Sequence, residues 1–470
     1  MHYTTEEQTA IPILPLQANQ LADFLADQTE SVSKWIENSD FTAKPHQYCI
    51  VPAASGEIAM VLVGLHENPD EVEAAAIWSI ANLAKELPVA HYELVTDWPE
   101  TQMIQAEIGW GLGAYRFDFF KRNFLEQPEP QARLKVAESR LPVINAYVDA
   151  ITMVRDLVNT PANHMMPEDL AELSQDLCLQ HGAEFKQIVG DELLDENFPA
   201  IHAVGRASEH APRLIQINWS ADASNADLPL LTLVGKGVCF DTGGLDIKPS
   251  KFMRNMKKDM GGAAHALGLA HLIMSLQLPV KLEVLISAVD NAISGDAYRP
   301  GDIIDTRARK TIEIDNTDAE GRVVLCDALT LACEHQSDLI LDFATLTGAA
   351  RVAVGTEIPA LFTNAKKLQL DMQNPAYNLG EIIWPLPLHE PYRYQLDSAV
   401  ADMANASSES YGGAITAALY LKEFVDESID WAHFDMMAWN TRERPGRPKG
   451  GEAMGLLVAF DYLQRRYQST

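Results

Sequence analysis

The chain has 470 residues, of which 47% are hydrophobic and 22% charged, a composition that fits a folded protein and excludes a disordered one. This length exceeds what one hydrophobic core usually serves, which predicts two domains. The formal net charge of −30 repels nucleic-acid phosphates and therefore disfavours a nucleic-acid partner.

The cysteines and the N-terminal residues indicate the cellular compartment of the protein. Five scattered cysteines without a CxxC pair fit free thiols in a reducing compartment better than a disulfide framework. The opening segment, MHYTTEEQTA, lacks the basic-then-apolar order of a secretory signal. No apolar run reaches the roughly 18–20 residues that span a bilayer. We therefore expect a cytoplasmic protein with no membrane partner.

The first part of the chain reads as a small α/β unit. Its strand and helix signals alternate, with strands expected at 46–52, 59–66 and 91–96 and helices at 70–87 and 99–115. Residues 124–132 contain two prolines and are typical of a link. These signals predict an N-terminal α/β domain over residues 1–130.

A long amphipathic helix follows. It begins near Pro142, a favourable first helical position, and its apolar residues recur every three or four positions as far as Asn159. A second helix is predicted at 167–181. We assign residues 131–160 to a linker helix region and residues 161–470 to a larger catalytic domain.

The larger domain alternates strands and helices again. Strands are predicted at 212–218, 228–240, 281–290, 339–346 and 431–438, and helices at 259–277, 321–336, 413–426 and 453–467. This order indicates a mostly parallel or mixed central sheet covered by helices. Sites in such sheets form beyond the carboxyl ends of the strands.

Two loops at predicted strand ends carry charged residues. One begins at Asp241 (DTGGLDIK) and continues to KDMGG at 258–262, and the other is NTDAEGR at 316–322. In extended backbone, Asp318 and Glu320 point to the same side. Converging carboxylates repel each other unless they are protonated or bridged by cations. A paired acid site, a metal site and a solvated turn all stay open from this loop alone.

Other sequence motifs are incomplete or absent. A calcium-binding loop would use Asn316, Asp318, Glu320 and Asp327 as ligands. That motif requires Asp at the first position, Glu at the last and a preceding helix, whereas here Asn is first, Asp is last and a predicted strand precedes. In the glycine-rich turn GKGVCF, Phe240 occupies the third glycine position of a dinucleotide fingerprint. Neither HExxH nor GxSxG occurs. Taken singly, the charged residues around the first loop favour a structural interpretation: Lys236 is typical of a strand end, and Asp241 and Asp259 are typical of helix caps.

Taken together, the segments resemble the leucine (cytosol) aminopeptidase family over roughly residues 155–470. The resemblance rests on GKGVCFDTGG (235–244), IKP (247–249), KDMGG (258–262) and NTDAEGR (316–322), with further matches at 159–161, 342–348 and 413–419. It implies a metalloexopeptidase that hydrolyses peptides.

The resemblance also implies two divalent metal ions per subunit, Mn²⁺ or Zn²⁺. Asp241 and Glu320 would bridge both ions, Asp318 would complete one site, and Lys236 and Asp259 would complete the other. Two divalent cations would balance the four carboxylates in charge. Lys236 could act as a ligand only as a neutral amine.

The implied reaction removes the N-terminal residue of a peptide, with leucine or methionine preferred, by attack of a water that bridges the two metal ions. Lys248 would stabilise the tetrahedral intermediate, and Arg322 would hold a bicarbonate that acts as general base. The implied substrate-binding residues are Met256, Asn316, Ala319, Thr345, Leu346, Gly348, Ala453 and Met454. The family further implies a homohexamer.

Two positions depart from the family pattern. Asp246 occupies a position where the family usually has a small residue, and its charge could alter the electrostatics near Lys248. The segment GGEAMG at 450–455 differs from the usual sequence of the family. An alternative hypothesis is a non-catalytic, DNA-binding protein on the same scaffold. The intact set of seven polar site residues and the net charge of −30 argue against it. A gel shift at physiological salt would distinguish the two.

Overall fold

The fold is taken from a computed structural model, which describes residues 2–6, 9–68, 71–121 and 131–468. The chain forms two compact units. The first comprises residues 1–152, 375–381 and 442–449, and the second comprises residues 153–374, 382–441 and 450–470. The predicted link at 124–132 lies outside the described residues, apart from its last two positions.

The first unit is built on a six-stranded sheet, counted over the described residues. Its helices and strands are β1 (Tyr3–Thr4), β2 (Ile11–Leu16), α1 (Leu21–Ala26), α2 (Glu30–Asn38), β3 (Tyr48–Pro52), β4 (Ile58–Gly64), α3 (Leu83–Glu86), β5 (His91–Leu94), α4 (Glu100–Ala114), β6 (Arg133–Lys135) and the start of α5 (Leu141–Asn159). The strand order is β1-β6-β5-β2-β4-β3. All neighbours are parallel except β3 and β4, which form an antiparallel pair.

One predicted helix of this unit is wrong. Residues 71–87, the described part of the predicted range 70–87, do not form a continuous helix; two 3₁₀ turns, Val72–Ala74 and Ala76–Trp78, precede the short α3. Glycines of α4 explain the difference. A Cβ on Gly109 would lie 1.7 Å from the Ile77 carbonyl oxygen, and one on Gly113 equally close to that of Ala81. Close packing of α4 against this backbone outweighs the local helix propensity.

The second unit holds the larger sheet. Its elements are α6 (Pro167–His181), β7 (Glu184–Val189), α7 (Glu192–Asp195), α8 (Pro199–Gly205), β8 (Arg213–Ser220), β9 (Leu230–Asp241), α9 (Ser250–Met253), α10 (Gly261–Ser275), β10 (Lys281–Asn291), β11 (Ile303–Asp305), β12 (Thr311–Glu313), α11 (Glu320–Glu334), β13 (Leu339–Ala344), α12 (Gly348–Val354), β14 (Ala360–Thr363), α13 (Lys366–Gln373), β15 (Trp384–Pro385), β16 (Met403–Ala404), α14 (Gly413–Lys422), β17 (Asp430–Asp435), β18 (Trp439–Asn440), β19 (Gly450–Gly451) and α15 (Leu456–Tyr467).

The sheet is mixed, as predicted, with a parallel centre. Its strand order is β15-β14-β17-β13-β9-β10-β8-β7. The four central strands β17, β13, β9 and β10 run parallel, whereas β8 pairs antiparallel with β10 and β14 pairs antiparallel with β17. The central strands are buried on both faces because helices such as α10 and α11 pack against them. All eleven strands and helices predicted for this domain and the preceding helix region occur, with ends shifted by a few residues.

The parallel centre determines where functional loops converge. Asn291 and Asp241, the last residues of β10 and β9, are partners in the parallel register, whereas β13 ends at Ala344, one residue beyond its pairing of Phe343 with Gly235 and so beside Lys236. Each of these strands leads into a loop at the same edge of the sheet. No helix among the described residues combines the length and apolar character needed to cross a bilayer.

Candidate metal-binding and catalytic site

The predicted metal ligands come from three places at this sheet edge. Lys236 and Asp241 lie on β9, Asp241 as its last residue. Asp259 lies in a 3₁₀ turn, Met256–Met260, that leads directly into α10. Asp318 lies in the loop before α11, and Glu320 is the first residue of that helix. Segments about eighty positions apart in the sequence therefore meet.

Two lysines pair with the four carboxylates. Lys236 Nζ lies 2.6 Å from an Asp259 oxygen and 2.8 Å from a Glu320 oxygen. Lys248 Nζ lies 2.8 Å from Asp241 and also contacts Asp318. All these groups except Asp318 and Lys248 are almost fully buried. The arrangement thus concentrates four acidic and two basic groups in a space with little water.

The pKa values reflect this crowding. Burial raises the pKa of Glu320, and the neighbouring charge of Asp241 raises it further. The same two causes, burial and then Asp241, raise the pKa of Asp318. Burial alone would lower the pKa of Lys236, but Asp259 and Glu320 raise it above its ordinary value. The carboxylates therefore need positive charge beside them to stay ionised.

The donor set fits a divalent cation. Among the described residues one group could hold a metal ion, and its ligand atoms from Asp241, Asp259 and Glu320 lie within 4.8 Å of one another. Glu320 Oε2 is buried and accepts no hydrogen bond from a described residue. A buried carboxylate oxygen without a donor is costly unless a cation neutralises it. Carboxylate oxygens are ligands of Mn²⁺, and Zn²⁺ also accepts them.

Neighbouring groups orient the carboxylates. Asp241 Oδ1 accepts hydrogen bonds from Asn291 Nδ2 at 2.9 Å and from the Gly243 amide at 2.8 Å. Asp259 Oδ1 accepts one from the Thr345 hydroxyl at 2.8 Å. The oxygens are thus aimed by a donor on β10 and by donors in the loops that follow β9 and β13, as is usual around metal sites.

Arg322 lies beside a cavity of about 210 Å³. Its guanidinium is buried, donates from Nη1 to the Asn405 carbonyl at 2.8 Å, and leaves Nε without a hydrogen-bond partner among the described residues. Burial lowers the pKa of Arg322 below its ordinary value. The predicted residues Asn316, Asp318, Ala319, Leu346 and Gly348 line the same cavity. The cavity can therefore receive a small anion next to the carboxylate cluster.

The other predicted substrate residues lie elsewhere in the unit. Thr345 is buried against Asp259. Met256 opens the 3₁₀ turn before α10. Ala453 and Met454 precede α15, and the Met454 amide donates to His265 Nε2 at 2.8 Å. Met256, Ala453 and Met454 are absent from the described lining of the 210 Å³ cavity.

The calcium-loop alternative is wrong. Glu320 and Asp327 both lie within α11, so no twelve-residue loop exists. Asp327 lies about two turns further along α11 than Glu320 and accepts hydrogen bonds from the Ala200 and Ile201 amides and from the Arg307 amide. It therefore binds backbone donors rather than a cation.

Sequence reasoning missed several residues that support the site. Asn291 orients Asp241, Tyr298 donates to the Thr317 carbonyl at 2.6 Å, and Asp435 accepts from the Leu346 and Thr347 amides. Asn291 and Asp435 are the last residues of β10 and β17, whose predicted ranges end at 290 and 438. The rule that sites form at carboxyl strand ends could have drawn attention to both.

Comparison with known proteins agrees with this geometry. Residues 152–460 match the model of the cytosol aminopeptidase family, catalytic domain, and residues 11–136 match the N-terminal domain of the same aminopeptidase family. A probable cytosol aminopeptidase from Roseiflexus castenholzii is 36% identical over 456 residues, covering 91% of this chain and 92% of the relative. One from Aquifex aeolicus is 36% identical over 443 residues, covering 91% and 89%.

Solved structures give the same result. The crystal structure of a cytosol aminopeptidase from Coxiella burnetii superposes with a TM-score of 0.93 at 44% identity, covering 99% of each chain. The bottromycin maturation enzyme BotP, solved in complex with Mn, superposes with a TM-score of 0.86 at 30% identity, covering 98% of this chain and all of BotP.

Proposed function

Because the chain belongs to the cytosol aminopeptidase family of metal-dependent peptide hydrolases, we propose that it removes the N-terminal residue of peptides with a preference for leucine or methionine. The proposal rests on one observation. Ligand atoms of Asp241, Asp259 and Glu320 lie within 4.8 Å of one another, and Lys236 and Lys248 form ion pairs with these carboxylates.

We assign the metal ligands by residue. Asp241 and Glu320 would hold both divalent ions, Asp318 would belong to one site, and Lys236 and Asp259 would belong to the other. Lys236 would do so only as a neutral amine, so the bound ions would have to displace the proton that Asp259 and Glu320 favour on it in the metal-free protein. When bound, such ions polarise a scissile carbonyl and acidify water. Manganese is supported by the Mn complex of the related BotP, and zinc remains the alternative.

Lys248 would stabilise the intermediate. It lies at the rim of the cluster and is less buried than Lys236, so its ammonium can face a substrate carbonyl. Burial alone would lower its pKa, but the charges of Asp241 and Glu320 raise it above the ordinary value, so the group stays positive at neutral pH. A fixed positive charge stabilises the oxyanion that develops when the carbonyl is attacked.

Arg322 would hold a bicarbonate ion. The buried guanidinium has an unused Nε donor next to a cavity large enough for a small anion. A bicarbonate held there by Arg322 would supply a general base to the site. Asn316, Ala319 and Leu346 line the same cavity and would contact the substrate backbone.

The first residue of the substrate would lie among mostly apolar side chains. The proposed pocket comprises Met256, Thr345, Gly348, Ala453 and Met454. Two methionines and two small residues favour an unbranched or γ-branched aliphatic side chain such as methionine or leucine.

Assembly, compartment and domain limits are part of the proposal. We infer a homohexamer in the cytoplasm; the naming of the relatives as cytosol aminopeptidases supports the compartment. Light scattering tests the assembly. The division into residues 1–130, 131–160 and 161–470 stays a prediction.

The test is hydrolysis of leucyl-p-nitroanilide with manganese or zinc added. Lys248→Ala should lower kcat roughly 100- to 1,000-fold, because it removes the oxyanion partner. Glu320→Ala should abolish activity and lower the metal content measured by elemental analysis. Lys251→Ala is the matched control, since Lys251 is exposed on α9 and should not affect the rate. A metal-loaded wild type that cleaves no aminoacyl anilide would contradict the proposal.

A further inference from the structure

Thr317 joins the two loops that carry the proposed metal ligands. It is fully buried between Asn316 and Asp318, and each of its polar groups is bonded. Its hydroxyl donates to the Gly243 carbonyl at 2.6 Å, and its own carbonyl accepts from Tyr298 at 2.6 Å and from Asn291 at 3.2 Å. The loop before α11 is thereby attached to the loop after β9.

Asp246 completes this attachment with a reciprocal pair of hydrogen bonds. The Thr317 amide donates to Asp246 Oδ2 at 2.8 Å, and the Asp246 amide donates to the Thr317 hydroxyl at 2.9 Å. The two residues are 71 positions apart in the chain. Lys248 pairs with Asp241 and Asp318, so the Asp246 carboxylate serves the loop contact rather than the lysine.

The position of this pair matters because ligands flank it on both sides. Asp241 precedes Asp246 in the first loop, and Asp318 follows Thr317 directly in the second. Gly243 also lies close, since a Cβ there would approach an Asp318 oxygen to 3.0 Å. A change in the distance between the loops would therefore change the separation of carboxylates that must converge on shared ions.

We propose that Asp246 is a positioning residue that holds the two ligand loops at their metal-binding separation through the Thr317 amide. The inference rests on the proposed function, because it takes Asp241, Asp318 and Glu320 as ligands. It assigns the unusual aspartate at 246 a role that depends on hydrogen-bond geometry rather than on charge. Loops that are already held apart correctly lose less conformational entropy when ions bind.

The experiment titrates metal-free protein with manganese chloride in a calorimeter. Wild type should bind two ions per chain. Asp246→Ala should weaken binding roughly 10- to 100-fold, the usual effect of removing a group that orients metal ligands. Asp246→Asn should keep the wild-type affinity, because its amide oxygen can still accept from the Thr317 amide. Asp246→Glu should weaken binding although it keeps the charge, since the longer side chain misplaces the oxygen.

Two further measurements complete the test. Asp227→Ala removes an exposed carboxylate from the loop before β9 and should leave the affinity unchanged. Melting temperatures of the metal-free variants identify any that do not fold; Asp246→Glu then replaces Asp246→Ala, because position 246 is exposed and accommodates a longer side chain.

The outcomes separate the two levels of inference. Equal weakening by Asp246→Ala and Asp246→Asn, with Asp246→Glu unchanged, would show an effect of charge and overturn the positioning role. Wild-type affinity in Asp246→Ala would overturn it as well. A wild type that binds no manganese would instead overturn the proposed function itself, and the positioning role with it.

Discussion

Gly321 shows how tightly the cluster is packed. It is the second residue of α11 and follows the proposed ligand Glu320. A Cβ at this position would lie 2.6 Å from Lys236 Cε and 2.7 Å from Lys236 Nζ. The neighbour is the flexible end of a side chain, so the backbone could tolerate the methyl group, but Lys236 would have to leave its place beside Glu320.

We therefore expect Gly321→Ala to fold and yet to lose affinity for manganese roughly 10- to 100-fold, because a ligand-bearing side chain is displaced. Calorimetric titration of the metal-free variant measures the loss. Gly295→Ala is the matched control, since nothing lies within 4 Å of a Cβ there. Unchanged manganese affinity in Gly321→Ala would show that Lys236 takes no part in the site.

The helix α11 is anchored to α8 by Asp327. One carboxylate oxygen accepts from the Ala200 amide at 2.9 Å and from the Ile201 amide at 3.3 Å, in the first turn of α8, and the other accepts from the Arg307 amide at 2.8 Å. A carboxylate is suited to this place because it offers acceptors only, and a helix N-terminus attracts negative charge.

Asp327→Ala would leave these amides without their acceptor in the interior. At about 1–3 kcal/mol for each stranded buried donor, we expect the free energy of unfolding to fall by several kcal/mol. Guanidinium unfolding of the metal-free proteins measures the change. A loss below about 1 kcal/mol would mean that water replaces the carboxylate. Exposed Asp305 on β11 supplies the control substitution.

The strands β13 and β17 are joined by a buried polar pair. Asp342 stands opposite His433 in the parallel register, and its carboxylate bonds the His433 ring and accepts from Trp431 Nε1 at 2.6 Å. Burial alone would lower the pKa of His433, but the charge of Asp342 raises it above 6.5. The folded protein therefore holds a proton on His433 more tightly than the unfolded chain does.

This difference predicts a pH dependence of stability. Because the pKa of His433 is higher in the folded protein than in the unfolded chain, protonation of His433 stabilises the fold. This contribution is complete below pH 6.5, the pKa in the unfolded chain, and it is lost as the pH rises through the pKa in the folded protein. The free energy of unfolding of the wild type should fall more between about pH 6 and pH 9 than that of His433→Gln. Parallel guanidinium titrations at both pH values compare the two. Equal slopes would contradict a protonated His433.

Acidic charge dominates the entire chain, with 66 acidic and 36 basic residues. Four of the carboxylates are gathered at one sheet edge, where their repulsion opposes folding unless cations are present. Metal ions that bind only the folded protein should therefore stabilise it strongly.

Removal of metal by a chelator should lower the melting temperature, and manganese should restore it. A free concentration of about 100 times Kd would add about 2.7 kcal/mol for each ion bound. Differential scanning calorimetry with and without manganese measures the shift. Glu320→Ala should show a much smaller rise, whereas a full rise in that variant would place the stabilising ions elsewhere.

Local sequence patterns determined most of the larger unit. The apolar runs of β9, β10 and β13 and the periodic helices between them are encoded by neighbouring residues, because strand and helix patterns have different periods. The same patterns failed at residues 70–87, where glycines of α4 bring two backbones together. A contact between distant segments leaves no periodic signal in either of them.

The candidate site, too, was predicted only in part from the sequence. NTDAEGR indicated a carboxylate pair without help from the fold, and the resemblance to a family supplied the lysines. Only the tertiary structure showed that Asn291, Thr317 and Asp246 hold the loops together. Residue types and spacing along the chain are local properties, whereas hydrogen bonds across 71 positions depend on how the strands are ordered in the sheet.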